Sequence, residues 1–171
     1  MSNLSRIIFK ILKMIRFKER IDFMHPKRSA KGKVPNFSKK KYSTTELMVL
    51  GRPVLTIRPV ESKTLAHVVY FHGGGYSIEA SGGHFQLMKQ LIDRANCTVT
   101  YVDYPLAPEF NVVDTMDMAL ETYSQLLSTY PESQFVLMGD SAGGGLALSL
   151  SMLIRDKKLK GAEKIILFSL C

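Results

Sequence analysis

A serine stands between two glycines in the segment GDSAG, residues 139–143, and its hydroxyl could act as a nucleophile. The segment follows an apolar run and leads into small and apolar residues, so we expect Ser141 at a sharp turn from a strand into a helix. Glycines two positions to either side remove side chains that would collide in such a turn. The start of the helix favours negative charge near the serine. The alternative is a serine that caps the helix in an ordinary strand-to-helix turn.

A second candidate is the segment HGGG, residues 72–75, which follows another apolar run. Three consecutive glycines cost much conformational entropy on folding, so they indicate a place where backbone N–H groups must approach a ligand closely. An oxyanion hole needs donors of this kind. A flexible loop and a phosphate-binding turn are the alternatives. The pattern G-x-x-x-x-G-K-[ST] is absent, which argues against a nucleotide P-loop.

These two motifs and a third segment together resemble the hormone-sensitive-lipase-like esterases, a family with the alpha/beta-hydrolase fold. The third segment is DYPLAPE, residues 103–109, which is similar to the family's D-Y-R-L-A-P-E. The resemblance covers about residues 44–171. The chain departs from the family at Pro105, where arginine is usual, and at Gly145, where asparagine is frequent.

The resemblance implies a role for each residue that matches the motifs. Ser141 would be the nucleophile of a carboxylic ester hydrolase that acts through a covalent acyl-serine. The N–H groups of Gly73, Gly74 and Ala142 would stabilise the oxyanion, and His72 would be structural. The implied substrate is a small-molecule ester with a short acyl chain, with no cofactor and no metal.

The residue that should take the serine's proton is missing from the expected place. In this fold the chain order is serine, then acid, then histidine, but only Asp156 and Glu163 follow Ser141 as acids, and no histidine follows it. His67 and His84 lie in predicted elements and are interpreted as structural. We therefore interpret the chain as a piece cut after its sixth strand, weakly active or inactive, the alternative being a degenerate relative.

The remaining sequence predicts the elements that position these residues. Apolar runs alternate with helical patterns, which indicates an α/β fold with a mostly parallel sheet covered on both faces. The prediction is an alpha/beta-hydrolase-like three-layer sandwich that lacks the C-terminal strands. Strands are expected at 45–50, 53–60, 65–71, 98–102, 134–140 and 164–170, and helices at 83–96, 113–130 and 143–157.

The net charge of +8 belongs to the N-terminal region. Residues 1–41 carry 13 basic and two acidic residues, whereas residues 42–171 carry 10 basic and 13 acidic ones. Ile8, Ile11 and Ile15 fall on one face of a predicted basic amphipathic helix. We divide the chain into a basic cap helix with its connector (1–43) and a partial hydrolase domain (44–171).

The basic N-terminal region could have one of two roles. Its helix could cover the acyl site of an esterase. Alternatively, the chain could be a non-catalytic protein that binds an anionic membrane surface through residues 1–24. Nucleic acid is not expected as a partner.

No apolar run is long enough to span a membrane. The two cysteines, Cys97 and Cys171, do not suggest a disulfide framework, so a reducing, cytoplasmic location is expected.

Overall fold

Strands and helices alternate in the computed structural model, which describes residues 37–61 and 64–168. The described strands are β1 (Tyr42–Val49), β2 (Arg52–Pro59), β3 (Ala66–Phe71), β4 (Thr98–Val102), β5 (Gln134–Asp140) and β6 (Lys164–Phe168). The described helices are α1 (Gly82–Ala95), α2 (Val112–Thr129) and α3 (Ala142–Asp156). Each expected element is present with bounds within three residues of the prediction. Most of the predicted cap helix and connector, residues 1–36, lies outside the described residues.

The strands form one sheet in the order β1-β2-β4-β3-β5-β6. Strands β4, β3, β5 and β6 are parallel to one another, while β1 and β2 pair antiparallel at one edge. This confirms the predicted α/β fold with a mostly parallel sheet. The carboxyl ends of β3 and β5 lie side by side in the sheet, so the segments that follow them meet at one edge.

Helices cover both faces of this sheet, which explains the continuous apolar runs. Successive side chains of a strand point to opposite faces, and in β3 Val68 and Tyr70 join one core cluster while Val69 and Phe71 join the other. The first cluster is completed by buried residues of α1, and the second by residues of α2 and α3. Within the described part of the chain, no helix is long and apolar enough to cross a bilayer.

Strand β6 forms the edge of the described sheet, where it pairs with β5 alone. Its apolar side chains Ile165, Ile166 and Phe168 are 39%, 38% and 42% exposed. A strand with this composition is typical of a sheet interior, so the exposure leaves a hydrophobic edge.

Candidate active site

Ser141 occupies the turn between β5 and α3, as the motif predicts. Its backbone adopts φ 48° and ψ −120°, a conformation that costs energy for any residue with a side chain. Two sets of hydrogen bonds hold the turn. The Ser141 N–H donates to the Phe168 carbonyl at 2.8 Å, and its carbonyl accepts the N–H groups of Gly144 and Gly145 at 3.0 and 3.2 Å.

The glycines on either side of Ser141 are required by close backbone contacts. A Cβ on Gly139 would lie 2.2 Å from the Gly143 carbonyl oxygen. A Cβ on Gly143 would lie 2.1 Å from the Phe71 carbonyl oxygen and 2.6 Å from that of His72. Side chains at these two positions would therefore collide with backbone, as the sequence predicts. The two glycines allow the start of α3 to lie directly against the end of β3.

The glycine loop after β3 turns sharply through backbone conformations that favour glycine. Gly74 has φ +130° and Gly75 has φ +61°. The Gly74 carbonyl accepts the N–H groups of Ser77 and Ile78 at 3.1 and 3.0 Å, which closes the turn. Because a Cβ on Gly74 would lie 2.5 Å from the Ile78 carbonyl oxygen, no larger residue fits there.

The three amides expected to bind an oxyanion differ in their hydrogen bonding. The Gly73 N–H donates to Asp140 Oδ1 at 3.0 Å, so it is already paired. The N–H groups of Gly74 and Ala142 make no hydrogen bond with any residue of 37–61 or 64–168, and neither does that of Gly75. These three amides are thus the donors best able to receive a negative oxygen.

Asp140 connects the serine turn to the glycine loop, and it was not among the site residues predicted from the sequence. Its Oδ1 accepts the Tyr70 hydroxyl at 2.6 Å in addition to the Gly73 N–H, and its Oδ2 lies 3.3 Å from His84 Nε2. Burial alone would raise the pKa of Asp140, but the hydrogen bonds from His84, Tyr70 and Gly73 outweigh it and leave the pKa below its ordinary value. The only signal in the sequence was a carboxylate placed directly before the serine.

Two of the described histidines are buried in the domain. His72 donates from Nδ1 to the Gly73 carbonyl at 2.7 Å and stacks on the Tyr104 ring, with 4.5 Å between ring centroids. His67 Nε2 lies 2.7 Å from the Thr100 hydroxyl. Burial lowers the pKa of each histidine from 6.5 to about 4. Both rings are therefore neutral near pH 7 and enclosed by protein.

The remaining acid and histidines that could be considered as a base for Ser141 are Asp156, His84 and His25. Asp156 is exposed at the end of α3 and pairs with Arg155 at 2.8 Å, as expected for a surface acid. His84 lies at the start of α1, hydrogen-bonded on one side to Asp140 and on the other to Ser81. His25 falls outside the described residues.

The two positions that depart from the family motif, Gly145 and Pro105, each contact a specific side chain. A Cβ on Gly145 would lie 2.8 Å from the Tyr76 hydroxyl, so Tyr76 occupies the space above α3 that a side chain at 145 would need. The Pro105 carbonyl accepts a hydrogen bond from the buried Thr115 hydroxyl at 2.9 Å.

No group of three or more His, Cys, Asp or Glu within the described ranges is arranged to hold a metal ion.

Comparisons with known proteins agree with this arrangement. The family model described as alpha/beta hydrolase fold matches residues 68–169. The chain is 31% identical over 130 residues to an esterase of Acinetobacter venetianus, covering 68% of this chain and 43% of that protein. It is 37% identical over 90 residues to the esterase LipU of Mycobacterium tuberculosis, covering 52% of this chain and 30% of that protein.

Among solved structures, the chain is similar to an esterase from the bacterial hormone-sensitive lipase family. The TM-score is 0.68 at 28% identity, over 78% of this chain and 45% of the other. An esterase of Pyrobaculum calidifontis gives a TM-score of 0.65 at 26% identity, over 76% and 45% of the two chains. The chain thus spans less than half the length of these relatives.

Proposed function

Because the chain belongs to the alpha/beta hydrolase fold family, we propose that it provides the nucleophile and the oxyanion-binding part of a carboxylic ester hydrolase. The substrate class is a small-molecule ester. The observation that carries the proposal is the backbone of Ser141. This residue has φ 48°, a conformation that L residues rarely adopt, and it lies between two glycines at which a side chain would collide with backbone. Strain of this kind persists only where surrounding structure enforces it, and it is typical of functional sites.

The proposed reaction is acyl transfer through Ser141. Its hydroxyl oxygen attacks the carbonyl carbon of the ester, its proton passes to a base, and the carbonyl oxygen becomes negative. The N–H groups of Gly74 and Ala142, with Gly75, are the donors we assign to that oxygen. Gly73 takes a different part, since its N–H holds the loop against Asp140.

The general base is proposed to come from outside these residues. His67 and His72 are buried, with their pKa values lowered to about 4, and no histidine follows Ser141 in the sequence. We expect an acid and a histidine to be supplied by a further polypeptide segment, comparable to the portion of the relatives that this chain does not match. Binding and the oxyanion donors alone leave roughly 10³–10⁴-fold catalysis over water in serine hydrolases that lack triad members.

A burst assay with a short-chain aryl ester tests the proposal. The chain alone is expected to hydrolyse the ester feebly, and Ser141→Ala should change this rate little. Addition of the C-terminal part of a relative, such as the Acinetobacter venetianus esterase, should restore rapid turnover that Ser141→Ala abolishes. The expected gain is large, since loss of a triad costs about 10⁶-fold in one measured hydrolase. Fast turnover by the chain alone that depends on Ser141 would contradict an external base.

We also propose a partner for the basic N-terminal region, on the charge asymmetry of the sequence. In the helix predicted from the sequence, the lysines and arginines of residues 1–24 fall opposite an apolar face, which would suit either a cover over the acyl site or contact with anionic lipid. Co-sedimentation with phosphatidylserine vesicles, with and without residues 1–24, separates these two roles. A reducing, cytoplasmic location is proposed as well, consistent with the buried free thiol of Cys97.

A further inference from the structure

Apolar side chains are exposed where the turn between β1 and β2 meets the start of α2. Four of them, which we call the apolar patch, are between 43% and 71% exposed: Leu50, Phe110, Val112 and Val113. The guanidinium carbon of Arg52 lies 5.8 Å from the centre of the Phe110 ring, so the turn and the helix start are neighbours. Exposed apolar residues that cluster among polar ones mark an interaction surface.

The apolar patch adjoins the candidate active site without being part of it. The loop that leads to Phe110 contacts the glycine loop, since the Ala107 N–H donates to the Tyr76 carbonyl at 2.8 Å. The patch and the turn at Ser141 therefore lie on the same edge of the sheet. A segment bound to the patch would lie at the rim of the site.

The surroundings of the apolar patch are acidic. Residues 95–154, which include α2, contain seven Asp and Glu and no Lys or Arg. Asp117 and Glu121 follow Val113 at intervals of four residues, so the three side chains share one side of α2. The positive charge of Arg52 is held by Asp103, whose carbonyl accepts its Nε–H at 2.6 Å.

This negative charge selects the occupant of the apolar patch. A second copy of the chain would bring one acidic surface against another, and an anionic lipid surface would be repelled in the same way. A basic amphipathic helix fits both the apolar side chains and the carboxylates. The sequence predicts such a helix in residues 4–17, within the region that carries 13 basic and two acidic residues.

The connection to the described domain is long enough for this segment to reach the patch. Phe37 is buried against Tyr42 at the start of β1, and the patch lies past the other end of that strand, roughly 25 Å away. Residues 18–36 span up to roughly 60 Å when extended. Because the linker keeps the segment at an effective concentration of about a millimolar or more, weak contacts are sufficient.

We propose that residues 4–17 dock as a helix on the apolar patch, with Ile8, Ile11 and Ile15 against Phe110 and Val113. The lysines and arginines of the segment then lie beside Asp117 and Glu121. The inference rests on the charge asymmetry from which a partner of the N-terminal region was proposed, and it is independent of Ser141. It assigns to the segment a site on its own domain rather than on a membrane.

Photo-cross-linking in the 171-residue chain tests the docking. Ile11 is replaced by p-benzoylphenylalanine, a dilute solution is irradiated, and the cross-links are mapped by mass spectrometry. We expect links within one chain to peptides that contain residues 48–52 and 110–117. The same photoreactive residue at position 10, on the basic face of the predicted helix, should link less to these peptides.

A pair of double variants tests the contacts that we assign. Val113→Ser with Asp117→Lys removes an apolar contact and reverses a charge, and it should lower the yield of these cross-links about tenfold. Val60→Ser with Asp156→Lys is the matched control, since both residues are exposed and lie outside the patch. The control should leave the yield unchanged, and so should phosphatidylserine vesicles added to the chain.

Several results would overturn the docking. These are cross-links to other parts of the chain, a product with the mass of two chains, an equal yield in the two double variants, or loss of the cross-links when the vesicles are added. The last result would assign the segment to a membrane. None of them bears on turnover by Ser141, which the ester assay measures separately. Should the Val113 and Asp117 variant fail to fold, the position of the cross-links in the otherwise unchanged chain still decides.

Discussion

The Gly73 amide and the Asp140 carboxylate are joined by a 3.0 Å hydrogen bond between residues 67 positions apart in sequence. A Cβ on Gly73 would lie 2.3 Å from Asp140 Oδ2, so the first glycine of the HGGG segment is required by this carboxylate. The residue before Ser141 therefore holds the glycine loop in place. This side chain adds to the pairing of β3 with β5 and to the contact of Gly143 with Phe71, which also hold the two segments together.

Replacement of Asp140 by asparagine should destabilise the fold. The amide keeps the size of the side chain but loses the charge that strengthens the bonds from Tyr70, Gly73 and His84. Since hydrogen bonds to charged groups contribute about 1.5–3 kcal/mol each, we expect a loss of about 2 kcal/mol in the free energy of unfolding, measured in urea. Asp156→Asn is the control and should change it by less than about 1 kcal/mol, because its pair with Arg155 is exposed. Equal losses would argue against the role given to Asp140.

Gly143→Ala should be far more damaging than a glycine substitution elsewhere. The new methyl group would lie 2.1 Å from the Phe71 carbonyl oxygen and 2.6 Å from that of His72. Both are backbone atoms, so neither can move aside as a flexible side chain could. We expect a loss of about 3 kcal/mol or more, or failure to fold. Gly161→Ala serves as the comparison, because no atom lies within 4 Å of the added Cβ. Thermal unfolding curves of the two variants would overlap if the contact with β3 were unimportant.

Two buried histidines should make stability depend on pH. In the folded chain the pKa values of His67 and His72 are about 4, against an ordinary value of 6.5. The unfolded chain therefore binds protons that the folded chain excludes. This contribution is fully present above pH 6.5 and is lost as the pH falls toward 4.

At pH 5 the expected loss is about 2 kcal/mol for each histidine relative to neutral pH. Urea unfolding at both pH values measures it. In His67→Asn the difference between the two pH values should shrink by about 2 kcal/mol, whatever the absolute stability of the variant. An unchanged difference would mean that His67 is protonated in the folded chain.

The exposed edge at β6 should cause self-association. Ile166 is 38% exposed on this strand, and unpaired backbone groups beside apolar side chains are a template for strand pairing. Ile166→Lys should lower the apparent mass in sedimentation velocity at high protein concentration. Val60→Lys, which removes an equally apolar residue that is 54% exposed at the turn after β2, should not. A monodisperse monomer without any substitution would contradict the prediction.

Much of this fold can be read from hydropathy alone, because parallel strands buried on both faces appear as unbroken apolar runs. The start of β1 could not be predicted this way. Residues 42–44, YST, lack the apolar run that marked the other strands, although Tyr and Thr favour strands, and they pair with Pro59, Arg58 and Ile57 of β2. Pairing with β2 fixes where β1 begins, and hydropathy does not report such pairing.

The candidate site was predictable to a similar extent. The glycines at 139 and 143 follow from the geometry of a strand-to-helix turn, and the structure places both in contact with backbone. The pairing of Gly73 with Asp140, and the approach of His84 from α1, depend on the order of strands in the sheet. Sequence spacing carries no information about contacts of this kind. For this reason the sequence did not predict that the Gly73 N–H, one of the three expected oxyanion donors, is paired with the Asp140 side chain.

The hydrogen bond from the Ser141 N–H to the Phe168 carbonyl, at 2.8 Å, has a consequence for biosynthesis. The ribosome makes Ser141 before Phe168, so the serine is in the chain before the carbonyl that anchors it. During that interval the turn lacks the bond that fixes its strained backbone. We therefore expect the turn at Ser141 to gain this bond only when β6 has emerged and paired with β5.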